Sequence, residues 1–546
     1  MCSRLLRDGG CSNRPSAGKP SLFAYTVAKT DGSGSPVRPK SPETEPKTVV
    51  FDYTSCKFRD PDPLSREALK NAVFDYTHRK NDIRDLSIIT HTTYHISFII
   101  YHLPFEYRRE TAKRKKETAT MIDIRYIKEQ PDEVIARLAK KGKDAREDVE
   151  AIIRLDGERR ALIGETEAIK AEQNKTNRLI PQYKKEGKDT APIFAEMKEL
   201  GARAKTIDEK LREVETQLQG FLLGLPNLPD PDLLPGGKEN NQPLRYFGEP
   251  RKFDFEPKNH VDLCTDLGLI DYKRGAKLSG NGFWIYSGMG ARLEWAILNY
   301  FIDFHVGNGY QFMLVPHMLG YECGLTAGQF PKFQDEVYWL ETAEDERRRF
   351  MLPTAETALV SLHRDEVLTE ADLPKKYISY TPCFRREAGS YRADERGMVR
   401  GHQFNKVEMV QYTLPEKSDE AFEELVQNAE NLVKGLGFHF RTVKLAAEDC
   451  SASMARTYDI EINIPSMNGY KEVSSVSNAR DYQARRGMMR VKRENGKMEY
   501  LHTLNGSGLA TSRIFPALVE QNQNADGSVT VPEVLRKYLG VDVIKK

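Results

Sequence analysis

Between Asp148 and Leu218, apolar side chains return at the spacing of a helix seam. Leu155, Leu162 and Ile169 recur every seven residues on an outgoing leg, and Met197, Leu200, Ala204, Ile207, Leu211, Val214 and Leu218 alternate by three and four on a return leg. Such a stripe keeps one face of each helix against a partner, so the pattern predicts a heptad seam. Pro181 and the Tyr183–Asp189 stretch around Gly187 break the run, which makes the expected unit a hairpin of two antiparallel helices. At a rise of about 1.5 Å per residue, legs of roughly thirty residues project about 45 Å. A heptad run more often serves dimerisation or spacing than RNA binding. This one, however, carries Lys170, Lys175, Arg178, Lys184, Lys185 and Lys188 against Glu172, Glu186 and Asp189 at its far end, a local basic excess suited to phosphate contacts.

The chain has 546 residues, enough for two or three domains and a large core. Lys and Arg total 82 against 80 Asp and Glu, so any nucleic-acid contact must come from a local patch and not from bulk charge. Cys2, Cys11, Cys56, Cys264, Cys323, Cys383 and Cys450 are scattered without a C-x-x-C pair, which fits a reducing compartment and leads us to expect no zinc. No apolar run reaches the roughly 18 residues that a membrane-spanning helix needs.

Residues 1–120 read as a poorly ordered extension, either foreign to the native protein or a targeting segment. The first forty are rich in Ser, Pro, Gly and basic residues, with Asp8 and Asp31 the acids among them. His91 and His95 would share a helix face. The Ile, Thr, Tyr and Phe around them favour a strand, where they would sit about 13 Å apart, too far to share a metal.

The stretch Thr381–Val410 reads as strand, loop, strand. Arg385 and Glu387 lie two apart on the first strand, while His402, Phe404, Lys406 and Glu408 follow at period two on the second and Val407 and Met409 take its other side. Arginine grips phosphate, an aromatic ring stacks on a base, and a carboxylate holds an ammonium group, so one face could seat a nucleotide beside an amino acid. An amphipathic hairpin laced with surface ion pairs is the plainer alternative.

The whole string FRREAGSYRADERGMVRGHQFNKVEMV resembles the second signature motif of seryl-tRNA synthetases, within the class II aminoacyl-tRNA synthetases. That resemblance implies that Arg385 contacts the α-phosphate of ATP, Glu387 the adenine amino group, Phe404 the adenine face and Glu408 the serine amine. Arg386, which stands where the family usually has a small polar residue, falls among the ATP contacts. The loop RADERG departs from the family string where it approaches the tRNA acceptor end.

Other segments resemble the same family in the same order. Met121 opens MIDIRYIKEQPDEVIARLAKKG, similar to the usual beginning of bacterial-type members, so the native start could lie there. GARLEWAILNYFIDFHVGNGYQFMLVPHML resembles the first class II motif, a helix ending near Gly307 and a strand reaching Pro316, which implies a homodimer. LPTAE resembles the serine-recognition loop and carries over Thr354, Ala355 and Glu356. KEVSSVSNARDYQARR implies Glu472 and Ser475 at Mg2+ and phosphate, with Val473 and Ser474 alongside. HTLNGSGLATSRIFPALVE resembles the third motif, with Asn505 and Ser507 facing serine and Arg513 clamping the terminal phosphate of ATP; Gly506 and Gly508 would let the backbone approach a ligand closely. The Ser507 string lacks the full G-x-S-x-G pattern of a hydrolase nucleophile.

The resemblance implies an α+β architecture. Residues 121–232 form a tRNA-binding, antiparallel coiled-coil arm joined by a Pro-rich linker to residues 233–546, a class II antiparallel-sheet catalytic domain flanked by helices. It further implies a cytoplasmic serine–tRNA ligase, or an organellar one if residues 1–40 are a transit peptide. Its substrates would be L-serine, ATP with Mg2+, and tRNA(Ser), together with tRNA(Sec) where a host has it. A carrier-protein ligase shares the catalytic architecture but resembles versions without the arm, and a non-catalytic paralogue would have lost ATP or serine contacts that are all present in this chain.

Overall fold

The computed structural model describes residues 122–341, 348–387, 397–467 and 469–546, all within one unit that runs from Arg109 to Lys546. The N-terminal extension, the His91 and His95 pair, the Met121 start and Arg392–Arg396 lie outside the described residues.

Two short helices, α1 (Ile124–Glu129) and α2 (Pro131–Ala139), root the arm. Asp123 caps α1 by accepting from the Arg125 N–H, and Pro131 opens α2 at a position where no intrahelical N–H is missed. The two legs follow as α3 (Arg146–Lys185, 40 residues) and α4 (Ala191–Gly224, 34 residues). Leu155, Leu162, Ile169, Ile207, Val214 and Leu218 are buried between them, with Leu200, Ala204 and Leu211 packed alongside. Each fully buried Leu or Ile of such a seam contributes about 1.5–3 kcal/mol.

Pro181 does not break the helix. It sits inside α3, which ends at Lys185, and the chain turns at Gly187 with φ +65°. Pro181 is exposed, so water can satisfy the carbonyl that its missing N–H leaves free.

The Pro-rich exit is a fixed strap and not a loose linker. Asn227 Nδ2 donates to the Ser453 and Ala479 carbonyls at 2.9 and 2.8 Å, and Asp230 pairs with Arg456 and Arg480, each at 2.8 Å. Composition registers the prolines; it cannot register that Asn227 and Asp230 are buried against sheet residues more than two hundred positions downstream.

The rest of the unit is built around a sheet of eight strands: β1 (Gln242–Phe247), β2 (Gln311–Met313), β3 (Lys375–Phe384), β4 (Gln403–Thr413), β5 (Phe440–Lys444), β6 (Arg456–Ile464), β7 (Gly469–Arg480) and β8 (His502–Ala510). Their order in the sheet is β1-β5-β6-β7-β8-β4-β3-β2, antiparallel throughout except for the β2 and β3 pair. The first-motif strand stops at Met313, short of the expected Pro316.

Three helices cover one face: α5 (Met289–Gly307), α6 (Ser418–Gly435) and, beyond the short helix α7 (Tyr482–Arg486), α8 (Thr511–Gln521). In α6, Ala421, Phe422, Leu425, Val426, Ala429, Leu432 and Val433 form one apolar stripe, with Asp419 and Glu420 in the first turn and Lys434 in the last, each favourably placed for the helix dipole. That stripe meets Val407 and Met409 of β4 in the main core. The opposite face of β4, carrying Lys406 and Glu408, is left to build a site.

Candidate active site

The β3 and β4 hairpin runs in register from Lys375 opposite Tyr412 to Phe384 opposite Gln403, and the Arg385 N–H continues the ladder to the His402 carbonyl at 2.9 Å. Past that point the chain opens. Arg385 Nε donates to the Pro353 carbonyl at 3.2 Å, and its guanidinium lies 5.1 Å from the Phe404 ring centre. Glu387 adopts φ +49° and pairs with Arg400 at 2.6 Å. Arg385, Glu387, Arg400, Phe404, Lys406, Glu472, Val473, Ser507 and Arg513 line one cavity of about 260 Å³.

Arg386 takes another direction: its Nη1 donates to the Asp335 carbonyl at 3.1 Å and it does not line the cavity. Arg513, two residues into α8, donates through Nη1 to the Glu472 carbonyl at 2.6 Å and lies 3.5 Å from that residue's carboxylate. Fixing a guanidinium on a backbone carbonyl aims the rest of its planar fork into the cavity.

Behind Lys406 lies a second, buried layer. Glu408 Oε2 is 2.5 Å from Lys406 Nζ, which also donates to Thr354 Oγ1 at 2.7 Å, and Asn505 Nδ2 donates to Glu408 Oε1 at 3.1 Å. Ser507 is buried at the rim, and Ser474 donates to its carbonyl at 2.6 Å. Ala355 is buried beside Thr354, and Glu356 opens a single helical turn, accepting from Gln483 Nε2 at 2.9 Å. Burial, with Glu408 close by, pushes the Glu356 carboxyl up to about 7. The buried Asn505 Oδ1 has no hydrogen-bond partner among the described residues, so the layer keeps an acceptor for a ligand's N–H or O–H.

Strict alternation would put Glu472 and Ser475, three apart on β7, on opposite faces. The β6 and β7 register shifts between Ile460 and Glu461, so Ser475 faces Asp459 across the ladder while Glu472 faces Glu461. The bulge brings the two oxygen donors to one side.

Gly508 has a different use from the one expected: a Cβ there would lie 2.5 Å from Nε2 of His305 on α5, so the residue permits close packing of β8 on that helix. Lys406, Arg400 and Gln483 take part in the site without a role that the sequence assigns. Lys406 had a signal, since it shares the period-two face of Glu408.

On the arm, Lys170, Lys175, Arg178, Lys184 and Lys185 are exposed around the α3 end and its turn, with Lys175 reaching Glu172 at 3.4 Å and Lys188 reaching Glu186 at 2.7 Å.

Two family models match the chain. The family described as the seryl-tRNA synthetase N-terminal domain matches residues 121–229, and the class II tRNA synthetase core domain (G, H, P, S and T) matches residues 338–522. The chain is 58% identical over 425 residues to serine–tRNA ligase 2 of Clostridium acetobutylicum, covering 77% of this chain and 100% of that relative. It is 45% identical over 429 residues to the serine–tRNA ligase of Fervidobacterium nodosum, covering 78% and 99%. Among solved structures, the seryl-tRNA synthetase of Pyrococcus horikoshii complexed with ATP superposes with a TM-score of 0.72 at 32% identity, covering 78% of this chain and 99% of that one.

Proposed function

The chain belongs to the seryl-tRNA synthetase family, and from that premise we propose how its residues divide the work. It is a serine–tRNA ligase: it activates L-serine with ATP and passes the seryl group to tRNA. The observation that carries the assignment of roles is the shared cavity, in which Arg385, Phe404, Lys406, Ser507 and Arg513 meet above the buried Glu408, Thr354 and Asn505 layer.

ATP enters with its adenine on Phe404 and its amino group toward Glu387, while Arg385 takes the α-phosphate and Arg513 the terminal phosphate. Serine lies over the inner layer, its amine toward Glu408 and its hydroxyl toward Thr354, Glu356, Asn505 and Ser507. A site built to pair a hydroxyl rejects analogues that lack one, because its own buried groups are then left without partners. The serine carboxylate attacks the α-phosphorus, the bond to the β-phosphate breaks, and pyrophosphate leaves. A ribose hydroxyl of the tRNA end then attacks the adenylate carbonyl and AMP departs. Arg385 and Arg513 offset charge as it shifts along the phosphates, and no protein nucleophile is required.

Glu472 and Ser475 supply a carboxylate and a hydroxyl from one face of a strand, an oxygen set that suits magnesium and not zinc. When bound there, Mg2+ supplies positive charge to the phosphates. Residues 121–232 serve as the tRNA arm for tRNA(Ser), and for tRNA(Sec) in hosts that have it, while 233–546 carry the chemistry.

Trp295, Val306, Phe312 and Leu314 are exposed on α5 and around β2, Leu314 at 78%, and this apolar surface supports a homodimer. Among the described residues no helix is long and apolar enough to cross a membrane. Likeness to a bacterial serine–tRNA ligase supports a cytoplasmic enzyme.

Pyrophosphate exchange into ATP tests the assignment: it should require serine, fall sharply with alanine, and be followed by charging of tRNA(Ser). Exchange that does not depend on serine would overturn it.

A further inference from the structure

The bulge that turns Glu472 and Ser475 to one face turns a third group the same way. Asp459 stands opposite Ser475 on β6, and with Asp449, Glu461 and Glu472 it lines a second cavity of about 240 Å³ that shares Arg400, Glu472 and Arg513 with the first. Arg441 Nε lies 2.6 Å from Glu461, Asn241 donates to Asp449 at 2.8 Å, and Arg513 is 3.5 Å from the Glu472 carboxylate. Asp459 differs from these. It is 7% exposed, it faces Ser475 across the ladder, and its buried Oδ1 has no hydrogen-bond partner among the described residues. A buried carboxylate oxygen left bare is costly unless a cation or a donor comes to it.

We propose that Asp459 is a positioning residue for the divalent cation that accompanies ATP, acting through Ser475 and through its own charge. A Ser475 O–H donated to Asp459 leaves the Oγ lone pairs free for the ion, as outer carboxylates orient metal ligands elsewhere. Magnesium keeps several of its waters when bound, and one of them can bridge to the bare Oδ1. The proposal rests on the assignment of Glu472 and Ser475 to the ion.

Asp459→Asn keeps the shape and removes the charge. Binding of a non-hydrolysable ATP analogue by the full chain is titrated with Mg2+, Mn2+ is followed directly by paramagnetic resonance, and the melting temperature is taken without nucleotide. The expected result is a rise of about 10–100-fold in the metal concentration at half-saturation, with a melting temperature no lower than the parent's. A merely structural residue gives the opposite, a lower melting temperature with an unaltered metal requirement, and that result overturns the proposal. Glu472→Gln is titrated in parallel. If it shifts the metal requirement and Asp459→Asn does not, the proposal alone falls; if it shifts nothing, the metal assignment beneath the proposal falls as well.

Discussion

The ammonium of Lys406 lies 2.5 Å from the Glu408 carboxylate, one same-face step along β4, and the pair is almost wholly buried. Lys406 also reaches Thr354 at 2.7 Å, so it ties the nucleotide cavity to the serine layer. Removing one partner of a buried pair leaves the other charge without compensation. Lys406→Met should therefore lower stability by about 3–5 kcal/mol and weaken serine activation by more than about tenfold. Denaturant unfolding together with serine-dependent exchange measures both; a variant unchanged in each would show that Glu408 needs no cation beside it.

The Arg385 side chain donates to one backbone carbonyl, that of Pro353, rests beside the Phe404 ring and otherwise faces the cavity, so its truncation should leave the fold intact. If it steadies the α-phosphate as pyrophosphate leaves, Arg385→Ala should cut the rate of exchange by roughly 10²–10³-fold, a loss typical of removing one preorganised charge-stabilising donor. Lysine in its place should recover only part of the loss, because a point charge does not replace a planar fork lying against Phe404. Near-normal exchange in the alanine variant would remove Arg385 from this role.

Periodicity made the arm legible, since Leu155, Leu162 and Ile169 could share a face only on a helix. The β4 face could be read in the same way, with Val407 and Met409 in the core and Lys406 and Glu408 turned from it. Roles for Arg385, Glu408 and Arg513 came from resemblance, because residue type alone does not separate a nucleotide site from an ion-paired hairpin. The common side of Glu472 and Ser475 was not legible at all: it depends on a bulge set by the pairing of β6 with β7, a non-local property. Pro181 misled for a related reason, because propensity counts its missing N–H and not the water that can replace it on an exposed helix end.

The exposed basic residues at the arm's far end permit a separation of the two half-reactions. Lys184→Glu with Lys185→Glu touches no seam residue, so serine-dependent exchange should be unchanged and the melting temperature should hold. Charging of tRNA(Ser) should fall by more than about tenfold, and the slope of log affinity against log salt should shrink by about 1.5–2 units for two lost phosphate contacts. Equal loss of exchange and charging would defeat the assignment of the arm to tRNA.

Glu294 on α5 joins the first-motif helix to both halves of the site. It accepts from Thr511 Oγ1 at 2.6 Å, two residues before Arg513, and from Asn405 Nδ2 at 2.8 Å, next to Lys406. Burial pushes its carboxyl up from 4.5 to about 7. The folded chain therefore holds this proton more tightly than the unfolded chain does. The stability gained is complete below about 4.5 and is lost as pH rises through about 7, a total of about 3 kcal/mol. Glu294→Gln keeps an acceptor for Thr511 and never ionises, so its stability relative to the parent should improve by about 2.5 kcal/mol between about pH 5 and about pH 8. His305 and His502, both lowered by burial to about 4, act in the other direction: each loses stability as pH falls from about 6.5 toward 4. They are common to both chains and cancel in the difference. Denaturant midpoints at the two pH values measure it, and parallel curves for parent and variant would mean that Glu294 titrates as an ordinary exposed carboxylate.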